Sequence, residues 1–136
     1  MRTLLRTAIV GLVGLASTAG LSQTSLSQAL RVGSDLRWVN ANCYGAKIDF
    51  GATDRMMQGV GLSDPFDPDG PFQSYLVQHD KFLDEGAKAA GMQLMCQSFL
   101  DRYRSTGFVA PRPKFEMDRM NRIRASEGLP PFMPLQ

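Results

Sequence analysis

His79, the only histidine of the chain, is followed directly by Asp80, and an imidazole beside a carboxylate can take a proton from water and share the resulting charge. Upstream, Gly59-Val60-Gly61 can turn backbone carbonyls toward a cation, and Asp101 lies downstream in Phe99-Leu100-Asp101-Arg102-Tyr103. Asp64, Asp67 and Asp69 offer more hard oxygen ligands. They do not make an EF-hand: with Gly70 at the sixth loop position, Pro65 falls first and Leu76 twelfth, so the bidentate acid is missing. One histidine and two cysteines cannot close a zinc site. There is no Gly-rich phosphate loop with its Lys, and no serine or cysteine in a nucleophile elbow.

The Gly-x-Gly loop, the His-Asp pair on a helix and the later helical Asp together resemble the core of the secretory calcium-dependent phospholipases, over roughly residues 57 to 103. The resemblance implies that Gly59, Gly61 and Asp80 are calcium ligands, that His79 is the catalytic base and that Asp101 orients it. That family places cysteines around the His-Asp pair and a tyrosine soon after it, where this chain has Val77, Phe82 and Leu83. Geometry sets a condition as well. On one straight helix His79 and Asp101 stand ~33 Å apart at 1.5 Å per residue, so they meet only if the chain reverses near Gly86 to Gly91.

The N-terminus reads as an address. In MRTLLRTAIVGLVGLASTA, Arg2 and Arg6 precede an apolar run, and Ser17-Thr18-Ala19 is a small-x-small cleavage site, which predicts a signal peptide over residues 1–19 or a later cut after Ala29. The apolar stretch is shorter than the ~20 residues that span a bilayer, so an uncleaved anchor is the lesser reading. Export predicts a periplasmic or secreted protein, and in an oxidising compartment two cysteines predict one Cys43–Cys96 disulfide. No Cys-x-x-Cys spacing points to redox catalysis.

At 136 residues with 43% hydrophobic and 21% charged residues, the chain has the composition of one globular domain. A net charge of +2 leaves no global field for nucleic acid. The bases concentrate after residue 101, so the C-terminal end is the candidate docking surface.

The elements follow from pattern and punctuation. Residues 20–34, rich in Ser and Gln, read as a linker. A short helix over 35–43 is expected, with Ser34 as its N-cap and Leu36, Val39 and Cys43 on one face. Gly and Pro make 59–71 a loop. Phe72, Tyr75, His79, Phe82, Gly86, Ala89, Met92, Cys96, Phe99 and Tyr103 recur at helical spacing, which predicts one long helix or a helical hairpin over about 72–105. A short polar helix over 115–126 precedes a stiff, irregular Pro-rich tail, GLPPFMPLQ.

The fold class expected is therefore mainly α, a small helical domain over 35–110 with one disulfide, followed by a docking segment over 111–136. The leading functional reading is an exported binding or accessory protein that docks a protein partner of the cell envelope through Arg119, Arg122, Arg124, Phe132 and Met133, without catalysis or a required cofactor. The second is a calcium-dependent, phospholipase-like esterase using His79 and Asp80. The third is a small envelope subunit anchored by its uncleaved N-terminus. Oligomeric state is left open.

Overall fold

The computed structural model describes residues 18–136, with side chains from residue 25 onward; the signal sequence read over residues 1–19 lies almost wholly outside it. Helix α1 runs over Thr18–Asn42, and strand β1 (Ala46–Ile48) follows it. Next come α2 (Phe50–Gly59), α3 (Gln73–Ala90), α4 (Met92–Tyr103), a 3-10 turn at Arg104–Thr106, strand β2 (Val109–Pro111) and α5 (Lys114–Ser126). The fold is mainly helical, as the pattern predicts.

The longest helix is the one its sequence hides. Residues 20–34, expected as a linker, are helical, and Ser34 is not an N-cap but an interior residue whose Oγ donates to the Leu30 carbonyl at 2.6 Å. The Ser and Gln residues of this stretch are tolerated in a helix, and its buried face supplies Ala29 and Leu30 to an apolar cluster with Met57 and Leu62. Gly33 is where α1 meets α2: a Cβ there would stand 2.8 Å from Met57 Sδ. Asp49 caps α2 by accepting from the Ala52 N–H at 2.9 Å.

Of the two glycines that bracket the helical run, Gly86 stays inside α3 and Gly91 makes the reversal. Gly91 has φ 93° and ψ 141°, a region L-residues avoid, while its N–H closes α3 onto the Ala87 carbonyl. The run is thus a hairpin. Its phase on α3 differs from the predicted stripe: Leu76, Leu83 and Ala87 are buried, while Phe82 is 72% exposed. On α4 the stripe holds, with Cys96, Phe99, Leu100 and Tyr103 inward.

The main core gathers Leu36, Trp38 and Val39 of α1, Leu83 and Ala87 of α3, and Phe99 and Leu100 of α4. Trp38 packs on Phe99 at 5.8 Å between ring centroids and donates its indole N–H to Asp84 at 2.9 Å. The predicted disulfide joins Cys43, just past α1, to Cys96 in α4, with a Cα–Cα distance of 5.5 Å. Strands β1 and β2 pair antiparallel, Lys47 opposite Ala110, and tie the chain after α1 to the chain after α4. These two strands carry three residues each, too few to show an alternation in the sequence.

The C-terminal segment lies back on the body. Leu135 is buried in the main core, and Asn121 makes two hydrogen bonds to the backbone of Phe132. No helix among the described residues is long and apolar enough to cross a membrane.

Candidate functional site

The hairpin at Gly91 brings His79 of α3 and Tyr103 of α4, each twelve residues from the turn, to one level beside α1. There Asp35 receives both. His79 Nε2 lies 2.7 Å from Asp35 Oδ1, and the Tyr103 hydroxyl donates to Asp35 Oδ2. Asp35 and His79 keep only 5% and 9% of their side-chain surface in solvent. A carboxylate has no hydrogen to give, so His79 Nε2 donates to Asp35, and in the neutral ring Nδ1 is then the nitrogen with the lone pair. Burial and the neighbouring Asp35 carboxylate push the Tyr103 phenol above its ordinary range, so it remains a donor. Tyr75, one turn before His79, stacks on the imidazole at 5.8 Å, and burial followed by the Asp35 charge raises its phenol as well.

Two guanidinium groups balance the two carboxylates of the cluster. Arg37 of α1 pairs with Asp80 Oδ2 at 2.5 Å, and its guanidinium lies 5.8 Å from the Phe66 ring centroid. Arg102 approaches Asp35 Oδ2 at 3.7 Å from a half-exposed position. His79 Nδ1 and Asp80 Oδ1 face each other at 3.7 Å, beyond hydrogen-bond reach. These two atoms and Arg37 Nε are buried without a hydrogen-bond partner among the described residues. Native interiors satisfy nearly all such atoms with protein groups or ordered water, so three of them side by side make this cluster the candidate site.

The residues singled out by sequence divide clearly. His79 and Asp80 are at the centre of this cluster. Asp101 is not: it is exposed on the far side of α4, where it accepts from Gln97 and sits 3.6 Å from Arg104, and Asp35 takes the place beside the imidazole that the resemblance implied for it. The helical phase explains this, because the inward stripe of α4 is 96, 99, 100 and 103, and position 101 falls outside it. Gly59 ends α2 and Gly61 follows with φ 79°; both are exposed, and Asp80 turns to Arg37. Among the described residues no group of three or more His, Cys, Asp or Glu side chains is placed to hold a metal ion.

The docking residues divide as well. Arg124 is used within the chain, its Nε bonded to the Pro130 carbonyl at 2.6 Å and its guanidinium 3.9 Å from the Phe132 ring centroid, and Phe132 also stacks on Tyr44 at 4.2 Å. Arg119, Arg122 and Met133 face solvent. The tail, the end of α1 and the start of α4 enclose a groove of about 420 Å³ between Tyr44, Met92, Met133 and the disulfide.

Asp35 and Arg37 were not singled out from the sequence. A signal for Asp35 was present: it stands four residues before Val39, on the apolar face that also carries Leu36 and Cys43, and an acid there needs a buried partner. No known protein family, curated protein or solved structure matches the chain.

Proposed function

We propose that the protein is an exported hydrolase of ester bonds whose general base is His79, held and oriented by Asp35 and Tyr103. The observation that carries this reading is the buried ladder Tyr103–Asp35–His79, with Nδ1 on the other side of the ring left without a hydrogen-bond partner among the described residues. A general base needs a ring nitrogen that no protein group occupies, and Nδ1 is placed to serve as one.

In the reaction, Nδ1 takes a proton from water as the water oxygen attacks the acyl carbon. Asp35 holds the tautomer and balances the imidazolium, as an orienting acid does. Collapse of the tetrahedral intermediate breaks the acyl C–O bond, and the departing alkoxide takes the proton back from Nδ1–H. The products are a carboxylic acid and an alcohol. Tyr75 and Phe82 stand one turn either side of His79 on the same exposed edge of α3, an apolar approach suited to the acyl chain of an amphiphile. The disulfide is consistent with an exported protein.

The test is hydrolysis of short-chain p-nitrophenyl esters and of phospholipid vesicles by wild type, His79→Gln and Asp101→Ala. The expected result is loss of 10²-fold or more in His79→Gln with Asp101→Ala unchanged. No wild-type hydrolysis of either substrate refutes the reading.

A binding role is the second reading, supported by the apolar groove beside the exposed Met92, Leu94 and Met133. It predicts that the tail is needed for recognition of an envelope partner while His79→Gln leaves recognition intact.

A further inference from the structure

Around His79 the three unpartnered buried atoms have complementary chemistry. With the ring neutral, as a general base must be, Nδ1 and Asp80 Oδ1 are both acceptors, because Nε2 carries the proton toward Asp35. Arg37 Nε–H is a donor. A separation of 3.7 Å between the two acceptors is too long for a direct bond and short enough for both to lie about 2.8–3.0 Å from one oxygen atom between them. An anion there would meet the Asp80 carboxylate, and a cation would meet the Arg37 guanidinium. A neutral molecule that donates twice and accepts once meets neither objection, and water is the smallest such molecule.

We propose that His79 Nδ1, Asp80 Oδ1 and Arg37 Nε hold one water molecule, and that this is the attacking water of the hydrolysis above. The water site rests on the geometry alone; the attacking role rests on the hydrolase reading. Arg37 is then a positioning residue with two duties. Its terminal nitrogen fixes Asp80 through Oδ2, and its Nε–H turns the water so that both hydrogens point to the acceptors, one of them the base. With the guanidinium already on Asp80, the carboxylate that the resemblance assigned to calcium has its positive charge supplied by the chain itself.

The experiment is an atomic-resolution crystal structure of the wild-type protein, with kinetics of Arg37→Lys and Arg37→Met in the presence of calcium and of a chelator. The expected result is an ordered water within 3.2 Å of all three atoms. Lysine can keep an ion pair to Asp80 but has no Nε–H at that position, so Arg37→Lys should fold normally and lose ten- to a hundredfold in kcat with KM unchanged. Arg37→Met should lose at least as much, and chelation should change no rate. A site in which Nδ1 has turned to a protein partner, or holds an ion, overturns the water site even if esters are hydrolysed. A water in place with no ester hydrolysed, or with full kcat in Arg37→Lys, overturns its attacking role, and a chelator-sensitive rate does the same.

Discussion

Removing the Asp35 carboxylate should unravel the cluster in a way that removing Asp101 cannot. Asp35→Ala leaves the Tyr103 hydroxyl and the His79 Nε2–H buried without their acceptor, each costing about 1–3 kcal/mol. It also leaves Arg102 without its nearby carboxylate, a small term because that side chain is half exposed. The sum, about 2–6 kcal/mol, brackets the usual cost of about 3–5 kcal/mol for breaking a buried polar pair by deleting one partner, which is the loss expected here. At roughly 4 °C per kcal/mol for a domain of this size, the melting temperature should fall by about 12–20 °C. Tyr103→Phe removes one donor and leaves Asp35 its bond to His79, so about 1–2 kcal/mol is expected. Asp101→Ala touches only exposed partners and should stay within about 0.5 kcal/mol of wild type. Urea unfolding of the four proteins, followed by far-UV circular dichroism with the disulfide intact, measures all three differences. If Asp35→Ala and Asp101→Ala lie within 0.5 kcal/mol of each other at equal m-values, Asp35 is not the acceptor of a buried ladder and the site reasoning fails.

Other expectations concern the frame that holds the site. Replacing both cysteines by serine opens a loop of 53 residues and should cost about 4 kcal/mol in chain entropy, read as a lower urea midpoint. Gly91→Ala forces an L-residue to φ 93° and should cost about 1–3 kcal/mol, whereas Gly86→Ala meets only the mobile end of Met95 and should be neutral or stabilising by up to about 1 kcal/mol; thermal melts distinguish them. Because the folded-state pKa of Tyr103 is raised above the ordinary value of 10.0, the folded protein holds that proton more tightly than the unfolded chain does. Its contribution is complete below pH 10 and is lost as pH rises beyond, so between pH 10 and 11.5 wild type should lose stability more steeply than Tyr103→Phe. Parallel slopes in urea melts across that range would contradict it.

The helical run over 72–105, the disulfide and α5 were legible because each rests on a local or countable signal: apolar spacing, two cysteines, a polar run between Pro113 and Gly128. Whether the run was one helix or a hairpin stayed open in the sequence, and it is Gly91 that turns the chain. The α1 helix was not, since Ser and Gln suit helix and linker alike and its apolar face is completed by Met57 and Leu62 from elsewhere. The phase of α3 was misread for a related reason. Tyr75 and Phe82 form a plausible apolar stripe, and only the positions of α1 and α4 decide that Leu76 and Leu83 turn inward instead. His79 and Asp80 were visible as a pair, but their partners Asp35 and Arg37 lie more than forty residues away, and no spacing rule links an acid in one helix to an imidazole in another. The tail's composition left its contacts open: a Pro-rich, Arg-flanked segment suits a groove on a partner or on its own chain, and in the folded protein Tyr44, Asn121 and Arg124 contact it.

The way the chain closes on itself also sets how it must fold. Helices form within about a microsecond, yet the ties that bind the first helix to the later part of the chain join distant positions: Asp35 to Tyr103 across 68 residues, Cys43 to Cys96 across 53, β1 to β2 across more than sixty. Contacts of that separation must wait for the intervening chain to close, so they slow the search relative to a bundle joined by short loops alone. Once Cys43 and Cys96 are joined, the end of α1 is permanently delivered to α4, and the remaining long-range encounters become short ones. Refolding of the oxidised chain should therefore outpace that of the reduced chain.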